Sequence, residues 1–297
     1  MNVYQQISSN KTKSILLFSF FFLAILFLGW VIGEITGFGA GALVIAFILA
    51  VLLSFFSYYY SDSIVLKISR AREVKREEFP FLFDIVQAVA MGAGVPKPRL
   101  YVINDTAPNA FATGRNPQHS VICVTTGLLQ KLDRNELEAV IAHEMSHIKN
   151  YDMLVMTVSV VLVGVIVLLS DFILRSFLWG RRGGNSRESG SLGLVLIAIG
   201  ILFAVLSPFI ATIIRLAISR KREFLADADS ALMTHNPEAL ASALLKISND
   251  KEPLEAANKA TAHLYIINPL KEHASFMNNL FSTHPPIEAR VKALRGM

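Results

Sequence analysis

Four long apolar runs constrain this chain more than any other feature of its sequence. Ser14–Gly33 and Gly39–Tyr60 carry no charged residue, and each is long enough to cross the roughly 30 Å of hydrocarbon in a bilayer. Met153–Ser170 is also free of charge but only marginally long enough, and Ser189–Ile214 contains Pro208, which membrane helices tolerate. The hydrophobic share of 53% exceeds that of ordinary soluble domains. The sequence therefore predicts an integral membrane protein.

The basic residues indicate how the first two runs are oriented. Only Glu34–Phe38 separates these runs, which predicts a tight membrane hairpin. Two lysines precede the hairpin, five lysines and arginines follow it, and its loop has none. The positive-inside rule therefore places both ends of the hairpin in the cytoplasm. The first run resembles a signal peptide but is too long and has no clear cleavage site, which favours an uncleaved anchor.

The orientation of the second apolar pair stays open. The segment between its runs holds four arginines and two acidic residues, and four arginines outside the cell would oppose the positive-inside rule. The pair therefore either crosses the membrane twice or stays partly embedded. In both cases its two ends return to one face, which brings the chain from Arg215 onward back beside the segment that precedes Met153.

The basic net charge does not indicate a nucleic-acid partner. The chain carries a net charge of +5, but its basic residues cluster beside the apolar runs, as expected for anchoring at the cytoplasmic face of a membrane. We therefore expect a lipid bilayer as a partner and no nucleic acid. The single cysteine, Cys123, excludes an internal disulfide, and its place in a β-like run predicts a small buried hydrophobe.

A His-Glu-x-x-His pattern at residues 143–147 carries the strongest chemical signal. It lies in a predicted helix with Asp133 as N-cap and Glu136 completing a capping box. Because no glycine or proline interrupts the helix, His143 and His147 lie one turn apart on one side, where two imidazoles can bind one zinc ion. Glu144 lies beside the metal and can pass a proton from the attacking water to a leaving amine. Apolar residues at helical spacing predict the buried face: Leu137, Val140, Ile141, Met145 and Ile148.

A catalytic zinc ion takes three protein ligands and keeps one position open. The best third candidate is Glu223, which follows the last apolar run in a segment of strong helix formers. Asp227 lies one turn later and would accept the second N–H of a ligating histidine. The spacing alone leaves an alternative open, in which both carboxylates pair with Lys221 and Arg222 on a solvated helix face.

The segments around these motifs predict a small sheet and further helices. A helix is expected from about Glu78 to Met91, and Asn236 with Pro237 begins another that runs to about Ile247. A terminal helix is expected after Pro286. We expect a sheet beside the His-Glu-x-x-His helix, although such short apolar runs also occur in loops. Its strands would be the runs Leu100–Ile103, Asn109–Thr113 and Val121–Thr125.

Four sequence elements together resemble the HtpX family of membrane-embedded zinc metalloproteases. They are His143-Glu144-Met145-Ser146-His147, Arg222-Glu223-Phe224-Leu225-Ala226-Asp227, Pro108-Asn109-Ala110-Phe111-Ala112 and His284-Pro285-Pro286, and their order and the four apolar runs match as well. The resemblance implies one Zn²⁺ per subunit, bound by His143, His147 and Glu223, with Glu144 as the base. It also implies a bacterial protein of the cytoplasmic membrane whose protease domain faces the cytoplasm. Its role would be stress-linked quality control, acting on membrane proteins or unfolded polypeptides.

Two further sites are expected near the metal. Asn109–Ala112 matches the family's Asn-Ala-Phe-Ala element, and an edge strand there would hold a substrate peptide by backbone pairing. The alternative is a plain core strand. His284, which two prolines stiffen, would donate to the oxyanion of the tetrahedral intermediate, or else belongs only to the start of the terminal helix. The remaining histidines show no ligand spacing: His119, His235, His263 and His273.

We therefore predict a mostly helical α+β fold, an integral membrane metalloprotease of the zincin type (gluzincin-like) with about four transmembrane or membrane-embedded helices and a small β-sheet. Its expected parts are a membrane hairpin (1–60), a first part of the protease domain (61–152), a second membrane hairpin (153–214) and a second part of the protease domain (215–297). The expected reaction is hydrolysis of internal peptide bonds. Two alternatives stay open: a zinc enzyme for another substrate, such as a prenylated peptide, and an inactive zinc-binding membrane scaffold.

Overall fold

The computed structural model describes residues 3–162, 200, 220–257, 261–269 and 284–297. Within these residues the protein is mostly helical with one small β-sheet, as the sequence predicts. Most of the second apolar pair lies outside the described residues. The expected third and fourth membrane helices therefore remain predictions, apart from the first turns of Met153–Ser170.

Two long helices form the predicted first hairpin. Helix α1 spans Val3–Thr36 and helix α2 spans Ala40–Tyr59, and each contains a stretch apolar and long enough to cross a membrane. Many of their large apolar side chains are exposed, as a lipid-facing surface would be. Where the helices meet, a Cβ on Gly29 would lie 2.2 Å from the Cβ of Ala46. Glycine is therefore required at this contact, since small residues let membrane helices approach closely.

The remaining helices surround the sheet. The predicted helix near residues 78–91 is observed within two residues of those bounds, and the N-cap at Asn236 is confirmed, because its Oδ1 accepts the N–H of Ala239 at 3.1 Å. Two short helices, α3 and α5, were not predicted. The helices are α3 (Ser61–Ile68), α4 (Pro80–Ala93), α5 (Thr126–Lys131), α6 (Arg134–Lys149), α7 (Asp152–Leu162, to the edge of the described residues), α8 (Arg220–Thr234), α9 (Pro237–Asn249) and α10 (Ile287–Arg295), with a 3₁₀ turn at Ala262–Leu264.

The sheet contains the three predicted strands and one that the sequence did not reveal. Its strands are β1 (Arg72–Glu73), β2 (Arg99–Ile103), β3 (Ala110–Asn116) and β4 (His119–Thr125), in the order β1-β2-β4-β3. The β2–β4 pair is parallel and the other two pairs are antiparallel. Among the described strands β3 is therefore an edge strand. The two-residue β1 is too short to produce a detectable alternating pattern.

Both faces of the sheet are covered. One face, which includes Leu100, Ala112 and Ile122, packs against the helices α4, α6, α9 and α10. The other face, which includes Phe111 and Cys123, packs against α3, α7 and Tyr265. Cys123 is fully buried, which confirms its prediction as a small core residue. Continuous apolar strands are expected in a sheet buried on both sides.

Helix α6 is the central element of this part of the chain. Asp133 Oδ1 accepts the N–H of Glu136, and Glu136 Oε2 accepts the N–H of Asp133, both at 2.9 Å, so the predicted capping box is confirmed. The five apolar residues of its predicted face are at most 1% exposed. Because α8, α9, α4 and β3 all contact this helix, the His-Glu-x-x-His motif is held inside the protein rather than on its surface.

Candidate metal centre

The structure brings the three predicted metal ligands together. The Nε2 atoms of His143 and His147 lie 3.2 Å apart, because the two rings project from successive turns of α6. Helix α8 packs against α6 and places Glu223 opposite them, with its carboxylate oxygens 3.8 Å from His143 Nε2 and 3.6 Å from His147 Nε2. All three side chains are buried. The alternative of a solvated Glu223 paired with Lys221 or Arg222 is therefore not observed.

The geometry of these atoms fits a zinc ion. Ligand atoms about 2.0–2.1 Å from a tetrahedral zinc lie about 3.3 Å from one another, close to the observed separations. Two imidazole nitrogens and one carboxylate are also a ligand set typical of catalytic zinc. Within the described residues no other group of three such side chains meets. The site therefore has the composition of a zinc centre with a position left for a reactant.

A carboxylate orients each histidine from behind. His143 Nδ1 lies 3.0 Å from Asp227 Oδ1, which is the contact that the sequence predicts for Asp227. His147 Nδ1 lies 3.2 Å from Oδ2 of Asp152, a residue that sequence reasoning missed. Partners of this kind fix which nitrogen of a histidine faces the metal and hold the ring in place.

A sharp turn places Asp152 on His147. Helix α6 ends at Lys149, and α7 begins at Asp152 after only two residues. Tyr151 between them has a φ of 60°, in the left-handed region that bulky residues rarely adopt. The turn brings the carboxylate of Asp152, five residues after His147, within 3.2 Å of the His147 ring. The only local signal in the sequence is an acidic residue at the start of the next apolar run.

A buried arginine holds the other carboxylate. Nε and Nη2 of Arg290, on α10, donate to the two oxygens of Asp227 at 2.8 and 2.6 Å, and Nη1 donates to the carbonyl of Ile266 at 3.0 Å. Sequence reasoning missed Arg290 as well. Its spacing offered a signal, because it lies three residues after Ile287 and four before Leu294, on the apolar side of the terminal helix.

Glu144 points into the site next to the histidines. Its carboxylate accepts the backbone N–H of Ala112 on β3, and its Oε2 has no hydrogen-bond partner among the described residues. Burial raises the pKa of Glu144 to about 7, against the opposing charge of His147. A carboxylate with a pKa in this range can both accept and return a proton near neutral pH.

The charges around the ligands suit a cation. Although burial opposes it, the positive groups His284, His147 and Arg290 hold the pKa of the Glu223 carboxyl well below its usual range, so this ligand is ionised. Burial lowers the pKa of His143, which favours its neutral form. Burial alone would lower the pKa of His147 as well, but the carboxylates of Asp152 and Glu223 raise it to about 9. Metal binding must therefore displace a proton from His147.

His284 joins the site through Glu223. Its Nδ1 lies 2.9 Å from Glu223 Oε2, and its Nε2 is buried without a partner among the described residues. The Asn-Ala-Phe-Ala strand contributes backbone rather than side chains. Asn109 Nδ2 donates to the carbonyl of Ile267 at 3.0 Å, and Phe111 packs edge-on against Tyr265 with ring centroids 5.0 Å apart. Ala112 contacts the site directly, because its backbone N–H donates to Glu144.

Comparison with known proteins agrees with this geometry. The sequence profile of Peptidase family M48 matches residues 76–297. A protein described as "Protease HtpX homolog" from Dictyoglomus thermophilum is 46% identical over 294 residues, covering 99% of this chain and 94% of the relative. A second, from Pyrococcus furiosus, is 49% identical over 266 residues, covering 89% of each chain, and a third, from Listeria monocytogenes, is 40% identical over 304 residues, covering 99% of this chain and all of the relative.

A solved structure shares the fold. The crystal structure of Ste24p from S. mikatae superimposes with a TM-score of 0.51 at 18% identity, covering 98% of this chain and 67% of that one. The fold and the buried His-His-Glu site together define a membrane-associated zinc metalloprotease. The chain belongs to the HtpX proteases of peptidase family M48.

Proposed function

We propose that this protein is a membrane-bound zinc endopeptidase with one catalytic zinc ion per subunit, bound by His143, His147 and Glu223. The observation that carries the proposal is the position of Glu144. It is buried beside the three ligands. Its carboxylate accepts the backbone N–H of Ala112, and its Oε2 has no hydrogen-bond partner among the described residues. A structural zinc site has four protein ligands and no use for such a carboxylate.

The residues of the site suit peptide hydrolysis. When bound, zinc supplies a Lewis acid that polarises the peptide carbonyl and the attacking water. Glu144 accepts the proton of that water at Oε2 and returns it to the nitrogen of the leaving amine. His284 donates from Nε2 to the developing oxyanion.

The edge strand β3 supports a peptide substrate bound in extended form. The N–H of Thr125 on β4 donates to the carbonyl of Asn109 at 3.0 Å, so alternate residues, including Ala110 and Ala112, direct their backbone groups away from β4. The carbonyl of Ala110 already accepts the N–H of Ile266 at 3.0 Å. Because the N–H of Ala112 donates to Glu144, we place the substrate backbone against the carbonyl of Ala112 and the residues of β3 beyond it, within a zincin-type (gluzincin-like) protease domain.

The membrane setting suggests the substrates. The charge distribution around α1 and α2 supports a cytoplasmic protease domain in a bacterial plasma membrane, with a second membrane pair that begins in α7. A peptide-binding edge close to the bilayer suits unfolded segments of membrane proteins. We therefore propose membrane proteins and unfolded polypeptides as substrates, in stress-linked quality control.

The test is Glu144→Gln in detergent-solubilised, full-length protein. Glutamine has nearly the same shape but cannot accept the proton, so zinc content should stay at one per chain while cleavage of casein, and self-cleavage, fall to near background. Zinc content and cleavage are measured on one preparation. Glu138→Gln, on the same helix but outside the site, is the matched control and should leave both unchanged.

The outcomes separate the alternatives. Cleavage at the wild-type rate by zinc-loaded Glu144→Gln protein would contradict the mechanism. Wild-type protein that binds zinc but cleaves no polypeptide would favour a scaffold. Cleavage of a prenylated peptide in strong preference to casein would favour the narrower substrate class.

A further inference from the structure

A polar side chain of the first membrane helix lies close to the metal centre. Asn10, on α1, is 2% exposed. Its Nδ2 donates to Asp152 Oδ1 at 2.6 Å and to the carbonyl of Asn150 at 2.9 Å, and its Oδ1 accepts Nη1 of Arg222 at 3.2 Å. One amide therefore joins three segments: α1, the turn after the zinc helix, and the start of α8.

These contacts fix the carboxylate that orients His147. Asp152 Oδ1 accepts from Asn10 and lies 3.3 Å from Arg222 Nη1, whereas its Oδ2 faces His147 Nδ1. With one oxygen held by two donors, the carboxylate cannot rotate without breaking buried hydrogen bonds. The second oxygen is thereby kept for His147.

The same turn of α1 also supports the strained residue between α6 and α7. The ammonium group of Lys11 lies 4.5 Å from the centre of the Tyr151 ring, and Asn10 binds the carbonyl of the residue before Tyr151. A left-handed φ at a bulky residue is strained and persists only where its surroundings enforce it. Helix α1 supplies such surroundings through two successive residues.

We propose that Asn10 is a positioning residue through which the membrane helix α1 holds the zinc ligand His147 in its binding orientation. This rests on the proposed zinc site and adds a role for α1 beyond membrane anchoring. Asn10 does not touch the metal or the substrate. Its effect passes through Asp152, which distinguishes it from a buried polar group that only satisfies its own hydrogen bonds.

A double-mutant cycle on full-length protein in detergent tests the proposal. The measurement is the apparent zinc dissociation constant from competition with a chelator. Loss of a carboxylate behind a metal-binding histidine weakens binding about 10–100-fold, which we expect for Asp152→Ala. Asn10→Ala should weaken binding by less, about 3–10-fold, because Arg222 still contacts Asp152. The double variant should bind zinc no more weakly than Asp152→Ala alone, since Asn10 acts only through Asp152.

Two further variants keep the test decisive. Ser14→Ala removes a buried hydroxyl one turn along α1, whose partner among the described residues is the carbonyl of Asn10, and it should leave zinc affinity unchanged. Asn10→Asp preserves side-chain size if Asn10→Ala does not fold. It sets a second carboxylate against Asp152 and should weaken zinc binding more than Asn10→Ala does.

The readout separates this proposal from the function itself. Wild-type protein that binds no zinc would overturn the proposed function. Tight zinc binding by the wild type together with unchanged affinity in Asn10→Ala or Asn10→Asp would overturn only the role of Asn10. The role of Asn10 would also be overturned if the fold-losses of zinc affinity from Asn10→Ala and Asp152→Ala multiplied in the double variant.

Discussion

The two histidines of the motif are the same residue type, one turn apart on one helix, yet different parts of the chain hold them. His143 is oriented by Asp227, whose carboxylate accepts two hydrogen bonds from the fully buried Arg290 of the terminal helix. His147 is oriented by Asp152. The carboxylate of Asp152 accepts one hydrogen bond from the side-chain amide of Asn10 on the membrane helix α1 and a longer one from Arg222. The first support comes from α8 and the terminal helix α10, and the second comes from α1, the start of α7 and Arg222 of α8.

The two carboxylates differ in how many independent partners hold them. A bidentate arginine–carboxylate pair is strong and geometrically specific, but its removal leaves a buried charge unpaired. The Asp152 side divides its support between an amide and an arginine, so the loss of either partner leaves the other. Glu223 lies within 4 Å of both histidines and connects the two sides. We therefore expect a single substitution in the Asp227–Arg290 pair behind His143 to cause a large loss of stability. Loss of either Asn10 or Arg222 behind His147 should cause a smaller loss.

Removing Glu223, which contacts both histidines, should have the largest effect on zinc binding. Glu223→Ala leaves two imidazoles to bind the metal, and we expect the purified protein to lose zinc to a chelator that the wild type resists. Metal content after dialysis against the chelator is the measurement. Glu255→Ala, an exposed carboxylate, is the control. Full zinc retention by Glu223→Ala would place the third ligand elsewhere and remove the basis of the comparison.

Breaking the His143 support should come next. Arg290→Met leaves Asp227 buried without its cation and should destabilise the protein by about 3–5 kcal/mol. Arg295→Met on the same helix removes an exposed pair with Glu238 and should change stability very little. Denaturant unfolding in detergent compares the two. Equal stability of these variants would show that the Arg290 pair is not the stronger support.

His284 tests whether the His143 side also contributes to turnover. His284→Ala should keep zinc but slow peptide hydrolysis by about 10²–10³, as expected for the loss of an oxyanion donor. The measurement is kcat together with zinc content on the same preparation. An unchanged kcat would return His284 to a role at the start of the terminal helix.

The finest test compares the two carboxylates directly. Asp227→Asn and Asp152→Asn should each weaken zinc binding about 10–100-fold. Only Asp227→Asn should also lower the unfolding temperature clearly, because the buried Arg290 loses its bidentate counter-ion and keeps the longer contact of Nη1 with Glu223 Oε2, at 3.7 Å. Chelator competition and thermal unfolding of both variants provide the data. Equal losses of thermal stability would contradict the expected asymmetry.

The sequence predicted the parts of this centre that depend on local spacing. The His-Glu-x-x-His pair, the capping box of α6 and the apolar hairpin all follow from periodicity and caps within one segment, and the structure contains each of them. The strands β2, β3 and β4 were found for the same reason. Short elements such as β1 and α3 were missed because they contain too few residues to show a repeating pattern of apolar positions.

The supports of the ligands were harder to find because they depend on tertiary contacts. Nothing in the residues near Asn10 indicates that it meets Asp152, which lies 142 positions later. Asp152 could be suspected only from its place after the motif, and Arg290 only from its place on an apolar helix face. A polar residue among apolar ones has many possible partners, and only the packed fold selects one.

The bond between Asn10 and Arg222 spans 212 positions of the chain, which sets an order of events during biogenesis. Contacts this distant form late, because the long intervening chain must first be ordered. Helix α1, the segment that contains the second apolar pair, and α8 must all be in place before His147 is held correctly. Zinc should therefore enter only after membrane insertion, and a pulse-labelled chain should become chelator-resistant later than it becomes membrane-integrated. A newly made protease would then stay inactive until it reaches the membrane.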